Sequence, residues 1–144
     1  MNVEEILSVK GSAVATIGPG ASLSDATASL RDHGIGALIV SKDGRTIDGI
    51  LSERDVVRSL AAHGASTLGR AVSSAMSDEV VTCSPGDTAD QLMAMMSDRR
   101  FRHLPVTDDA GALVGIISIG DVVKARLGQL EHENDQLYEY IQGH

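Results

Sequence analysis

Apolar residues come in short bursts along this chain, and the bursts recur. Val14-Ala15-Thr16-Ile17 is a short extended run halted by Pro19-Gly20, and Val80-Val81-Thr82-Cys83 is another halted by Pro85-Gly86. After each stop the apolar period lengthens from two toward that of a helix. Leu23, Ala26, Thr27 and Leu30 fall on one helical face, as do Ala89, Leu92, Met93 and Met96. Both helices open on a hydroxyl with a side-chain acceptor three residues later, Ser22 to Asp25 and Thr88 to Gln91, the pattern of a capping box. Met93, Met95 and Met96 read as adaptable core filler. Two strand-like runs then flank a turn: Ala37–Val40 and Ile47–Leu51 around Lys42-Asp43-Gly44-Arg45, then Leu104–Val106 and Leu113–Ile117 around Asp108-Asp109-Ala110-Gly111. Asp43-Gly44 signals a hairpin, and Pro105 signals an edge position or a strand start. A last helix follows near Asp55 and again near Asp121.

The two copies align without a gap at a constant offset of 66 positions, from Val14 and Val80 to Leu60 and Arg126. Thr16/Thr82, Pro19/Pro85, Leu38/Leu104 and Val40/Val106 coincide, and the match is densest where Gly49-Ile50-Leu51-Ser52-Glu53-Arg54-Asp55-Val56-Val57 meets Gly115-Ile116-Ile117-Ser118-Ile119-Gly120-Asp121-Val122-Val123. Each unit reads β-α-β-β-α. Units of this size bury their apolar faces by stacking on each other, and a cleft between two stacked units is a natural ligand site. The predicted class is α/β (α+β), divided into an N-terminal helix and lead-in (1–13), a first repeat (14–68), a linker holding a short helical turn (69–79), a second repeat (80–127) and a C-terminal helical extension (128–144). Val3 to Lys10 suits a helix with Val3, Ile6 and Leu7 inward and Gly11 as its stop. At the other end Val123, Leu127, Leu130, Asn134, Leu137 and Ile141 recur in an unbroken heptad seam in which Asn134 would fix register in a two-stranded coil. A helix lying on its own globule is the equal alternative.

Composition narrows the function classes. The net charge of −8 argues against a general nucleic-acid binder, and Phe101, Tyr138 and Tyr140 are too few aromatics for base stacking. No apolar run approaches the length of a membrane span, and the acidic start Met-Asn-Val-Glu-Glu lacks the pattern of a secretory signal. A single cysteine excludes an internal disulfide and fits a reducing, cytoplasmic setting. His33, His63, His103, His132 and His144 have no ligand-like spacing, so no metal site is expected. Gly18-Pro19-Gly20 is too short for a phosphate-loop fingerprint, and no catalytic signature appears.

The motif glycine, two apolar residues, serine, two variable positions and aspartate, placed between the last strand and last helix of both units, resembles the hallmark of CBS domains. The chain is therefore similar to a tandem CBS pair (a Bateman module) of the stand-alone bacterial kind. Ser52–Arg58 and Arg100–Val106 resemble one subgroup with relatives among plant organellar redox-regulating proteins. The resemblance implies two repeats packed with pseudo-twofold symmetry, a long C-terminal helix beside them, homodimerisation, and clefts that bind adenosine derivatives.

Asp55 and Asp121 stand where a strand turns into a helix, where a carboxylate accepts both hydroxyls of a ribose diol or simply caps the helix. Ser52 and Ser118, with the helix amides, could hold a phosphate or serve as caps, and Ile119 beside them is a further expected ligand contact. Arg54, matched by Gly120 in the second unit, and the cluster Arg99, Arg100, Arg102 and His103, matched by His33, Gly34, Gly36 and Ala37, add cations for phosphate. The alternative for them is exposed ion pairing of little energetic value. The resemblance assigns adenine contacts to Thr16, Ile17, Thr82 and Cys83, and to Ala37-Leu38-Ile39 and His103-Leu104-Pro105. Cys83 alternatively reads as a small buried hydrophobe. The resulting expectation is a non-catalytic sensor that binds an adenine nucleotide (AMP first, then ATP, ADP or NADH) and transmits occupancy to a regulated partner protein. The alternative is a homodimeric scaffold with vestigial clefts, and a redox role for Cys83 is the weakest reading. Because the copies share the carboxylate and hydroxyl but differ around them, the clefts are expected to be chemically unequal.

Overall fold

The computed structural model of the protein describes residues 1–143; His144 lies outside the described residues. Its elements follow the caps and stops of the sequence. Asn2 caps α1 (Val3–Lys10), with Val3 and Ile6 buried and Gly11 ending it. Ser22 accepts from the Asp25 amide at the start of α2 (Leu23–His33), and Thr88 and Gln91 close a full capping box on α4 (Ala89–Arg99). Ser52 and Asp55 form the same reciprocal box on α3 (Glu53–His63). α5 (Ile119–Gly143) is the long final helix. The strands are β1 (Thr16–Ile17), β2 (Ala37–Val40), β3 (Gly49–Ser52), β4 (His103–Thr107) and β5 (Leu113–Ser118). In the first repeat β1 pairs parallel with β2, and β2 antiparallel with β3; in the second, β4 and β5 pair antiparallel.

The second repeat lacks a counterpart of β1, and Pro105 supplies the reason. In the first repeat Ile39 donates its amide to Ala15 O at 3.3 Å. Pro105 stands at the matching place with no N–H to donate. Only the bonds from Cys83 N to Pro105 O and from Thr107 N to Cys83 O remain, so the expected strand over Val80–Cys83 shrinks to a bridge between Cys83 and Val106. The Asp43-Gly44 signal is also modified. β2 and β3 do form a hairpin, but Asp43 accepts from the amides of Arg45 and Thr46 and the Thr46 hydroxyl, which holds the connection open as a longer loop over 41–48.

The two cores are built from matching positions. Leu23, Ala26, Leu30, Leu38, Val40, Leu51 and Val56 are buried in the first, and Ala89, Leu92, Met96, Leu104, Val106, Ile117 and Val122 in the second. The pair Leu23/Ala26 becomes Ala89/Leu92, so the large side chain changes turn while the filled volume is kept.

Each core is completed by a segment that precedes the other repeat in the chain. α1, at the front of the first repeat, places Val3 and Ile6 in the core of the second. The linker places Val72, in a 3-10 turn over Val72–Ser74, in the core of the first. The bonds are equivalent: Val3 N to Asp87 O and Ala89 N to Met1 O on one side, Val72 N to Ala21 O and Leu23 N to Arg70 O on the other. The motif glycines exist to receive these segments. A Cβ on Gly49 would lie 2.7 Å from Met76 Sδ and from Ser77 O, and one on Gly115 would lie 2.8 Å from the Leu7 methyls.

α5 settles the alternatives for the C-terminal segment. Val122 is buried at its root, but every residue from Leu130 to Gln142 is exposed, so the helix leaves its own globule and carries the heptad seam with it.

Candidate functional site

Two clefts lie between the repeats, each joining the motif end of one repeat to the helix-to-strand loop of the other. The first has a volume of about 370 Å³ and is lined by Ser52, Glu53, Arg54, Asp55 and Arg58 from one repeat and Arg100, Phe101, Arg102 and His103 from the other, with Ile50, Ser77 and Gly36 at its edges. The second, about 550 Å³, is lined by Ile116, Ser118 and Asp121, by His33 to Ala37, and by Lys10, Ala13, Val14, Ala15 and His103. His103 faces both. Its imidazole lies over Gly36, where a Cβ would be 3.5 Å from His103 Cε1. Burial pushes the imidazole below its ordinary value, the Lys10 charge adds to this, and Asp121 and Glu53 pull the other way.

In the first cleft the capping box fixes the aspartate. Asp55 Oδ2 accepts from Ser52 N at 2.8 Å and Ser52 Oγ at 3.0 Å. Among the described residues Oδ1 is paired only with Arg58, at 3.9 Å, and that side chain is 78% exposed. One carboxylate oxygen is thus held and the other is open to a ligand hydroxyl. The Glu53 amide donates to Gly36 O at 3.0 Å, which ties the start of α3 to the loop before β2. Four of the nine arginines in the chain, Arg54, Arg58, Arg100 and Arg102, border this one cleft.

Arg100 is there at a conformational cost. It caps α4 in the left-handed region with φ of 58°, the one non-glycine at positive φ among the described residues. The matching cap of α2 is Gly34, at φ 63°. A side chain at such a cap costs about 1 kcal/mol relative to glycine.

The second cleft repeats the geometry and changes the charges. Asp121 Oδ2 accepts from Ser118 N at 2.8 Å, and Lys10 Nζ joins it there while also donating to Ile116 O at 2.8 Å. Burial raises the Asp121 carboxyl, but hydrogen bonds from Lys10 and Ser118 and the Lys10 charge outweigh it and hold it below its ordinary value. Lys10 stands outside the repeat, 111 residues from Asp121, and sequence reasoning missed it.

The expected site residues divide clearly. Ser52, Arg54, Asp55, Arg100 and Arg102 come together in the first cleft, Ala37, Ser118 and Asp121 in the second, and His103 in both. Leu38, Ile39, Leu104 and Pro105 are buried within their hairpins. Thr16 and Ile17 pair with Ile39 and Val40 in the sheet, and the cleft wall is made instead by Ala13, Val14 and Ala15. Thr82 borders a separate depression between the two hairpin turns. Ile119 lies with Val123 and Leu127 on the outer face of α5. Cys83 belongs to the core, where burial pushes its thiol up to about 12 with help from the Asp87 charge. Such a thiol stays protonated and inert near neutrality. Among the described residues no cluster of His, Cys, Asp and Glu side chains is arranged to hold a metal ion, and no helix is long and apolar enough to cross a membrane.

A family model described as the CBS domain matches residues 3–62 and again residues 72–128. The chain belongs to the CBS-domain family. Both matches take in the segment before each repeat, Val3 in one and Val72 in the other, which are the residues that complete the exchanged cores. The CBS pair is 38% identical over 123 residues to the mitochondrial CBS domain-containing protein CBSX3 of Arabidopsis thaliana, with 83% of this chain covered; it spans 59% of that relative's length. Among solved structures it is similar to a CBS-domain containing protein from Agrobacterium tumefaciens, with a TM-score of 0.84, 47% identity, and 88% of this chain and 99% of that one covered. It is also similar to CBSX2 in complex with AMP, with a TM-score of 0.73, 26% identity, and 90% and 98% covered.

Proposed function

We propose that this CBS pair is a non-catalytic regulatory module that binds an adenine nucleotide in the Asp55 cleft and passes its occupancy to a partner protein. One observation carries the reading: four arginines and an aspartate with an open oxygen, drawn from both repeats, converge on one cleft in a chain whose net charge is −8. The ribose diol sits on Asp55. The phosphate sits against Ser52, the amides at the start of α3, and Arg54, Arg100 and Arg102. A phosphate monoester carries close to two negative charges near neutrality, so AMP is the first ligand, with ADP, ATP and NADH as longer alternatives. The AMP complex of CBSX2 supports the choice. Because the ligand bridges the repeats, its binding shifts the population between their arrangements, provided the two arrangements differ in affinity.

Isothermal titration with AMP, ADP, ATP and NADH tests this. AMP binding that weakens about 10- to 100-fold in Asp55→Asn, the loss expected for hydrogen bonds to a charged group, supports the reading. Absence of binding by all four, or binding indifferent to Asp55→Asn and Arg102→Ala, overturns it.

The exposed seam of α5 supports homodimerisation. In a parallel coil through Leu127, Leu130, Asn134, Leu137 and Ile141, Asn134 meets its own copy, and Arg126 of one chain faces Glu131 of the other. Sedimentation of the chain truncated after Gly128 should then show a weakened dimer.

A further inference from the structure

The two clefts differ most in uncompensated charge. Around the first, four guanidiniums face the two carboxylates of Glu53 and Asp55, which leaves two positive charges without partners. Around the second, one ammonium faces one carboxylate, Lys10 on Asp121, and nothing is left over. Position by position, Arg54, Arg100 and Arg102 of the first cleft are matched by Gly120, Gly34 and Gly36, while Arg58 is matched by Lys124, which lines the neighbouring depression against α1 and not this cleft. The rest of the second cleft's wall sets apolar Val14, Ala15, Ile35 and Ala37 beside the imidazoles of His33 and His103.

We propose that the Asp121 cleft takes an uncharged ribonucleoside, held by its ribose hydroxyls on Asp121 and by the apolar wall, and discriminates against phosphorylated ligands. The base is adenine if the reading of the Asp55 cleft above is correct, and the inference rests on that reading for the base alone. Asp121 can do this because Ser118 and Lys10 engage Oδ2, while Oδ1 has no hydrogen-bond partner among the described residues. Lys10 neutralises the carboxylate, so a neutral ligand enters without leaving a buried charge uncompensated. A phosphate at the matching place would meet Ser118 and helix amides but no guanidinium, and the one ammonium there, Lys10, is already paired with Asp121. Its desolvation would then have no adequate offset.

The test is calorimetric titration of adenosine and AMP into the wild type, Asp55→Asn and Asp121→Asn. Adenosine binding should survive Asp55→Asn and weaken about 10-fold or more in Asp121→Asn, the loss expected for a hydrogen bond to a charged acceptor. AMP should show the reverse. Gly34→Arg, made in the Asp55→Asn background, copies Arg100 into the second cleft at a position whose backbone matches it. It should restore AMP binding there; if that variant melts early, Gly36→Arg serves, since a Cβ at Gly36 meets only ordinary contacts of 3.5 Å and longer. AMP that binds through Asp121 as well as through Asp55, or adenosine that depends on Asp55 alone, overturns the inference. AMP bound through Asp55 with no adenosine binding overturns it and leaves the proposed function standing. Adenosine bound through Asp121 with no AMP binding supports it and removes the nucleotide reading of the first cleft.

Discussion

The two repeats fill the same core positions, pair the same hairpin strands and receive the same kind of capping segment, yet they present opposite faces to a ligand. Leu23 and Ala26 trade places with Ala89 and Leu92, and Leu30 becomes Met96, without altering the layer they form. Arg100, Arg102 and His103, in contrast, replace Gly34, Gly36 and Ala37 where the chain passes from helix into the hairpin. Buried positions answer to volume and tolerate exchange when volume is conserved. Loop positions at the interface answer to what they meet, so divergence there changes chemistry and leaves the architecture alone.

The comparison can be broken most forcefully in the core. Leu23→Ala should cost about 2–5 kcal/mol, and adding Ala26→Leu, which writes the second repeat's pattern into the first, should recover all but about 1.5 kcal/mol. Chemical denaturation measures both, and no recovery in the double variant would show that the layers are not interchangeable. The motif glycines give the next effect. Gly49→Ala drives a methyl against the Ser77 carbonyl of the backbone and should cost about 1–3 kcal/mol, whereas Gly115→Ala meets only the movable end of Leu7 and should cost less. Equal losses would deny that difference. At the clefts, Arg100→Gly should stabilise the protein by up to about 1 kcal/mol by relieving the left-handed cap while weakening AMP binding. A stability gain with unchanged binding would remove Arg100 from the site.

The smallest effect concerns pH. The Asp121 carboxyl is held below its ordinary value of 3.8, so its pairing with Lys10 contributes fully above that pH. The contribution is lost as pH falls through the lower folded value. For a partly exposed pair it amounts to no more than about 1 kcal/mol. Lys10→Met should flatten that acid limb of the stability profile, and an unaltered limb would show that the pair is inert.

Much of this was legible in the residues. Ser22 and Thr88 mark helix starts by local hydrogen bonding, and such signals need no tertiary context. The constant offset carries the core and both aspartates. The exchanged caps stay hidden because Val3 and Val72 are 69 positions apart, not 66, so the gapless register ends before reaching them. Lys10 is invisible for a related reason: its partner is distant in sequence, and only the packing of α1 on the second repeat brings them together. Thr16 and Thr82 kept their identity through the duplication, but the structure places both outside the clefts. Pro105 was visible, and its effect on the missing strand followed only once Ile39 showed which bond a proline there must forfeit.

The exchange of capping segments also has a consequence in time. A chain emerging from the ribosome can close its first repeat once the linker through Met76 appears, because Val72, Ala75 and Met76 then complete its interior. The second repeat has to wait for residues made before either repeat to come back to it. Val3 and Ile6, made ahead of the first repeat, are among the last to be buried. The order of synthesis and the order of assembly therefore run against each other at α1. Anything that restrains that helix should delay the half of the molecule farthest from it in sequence.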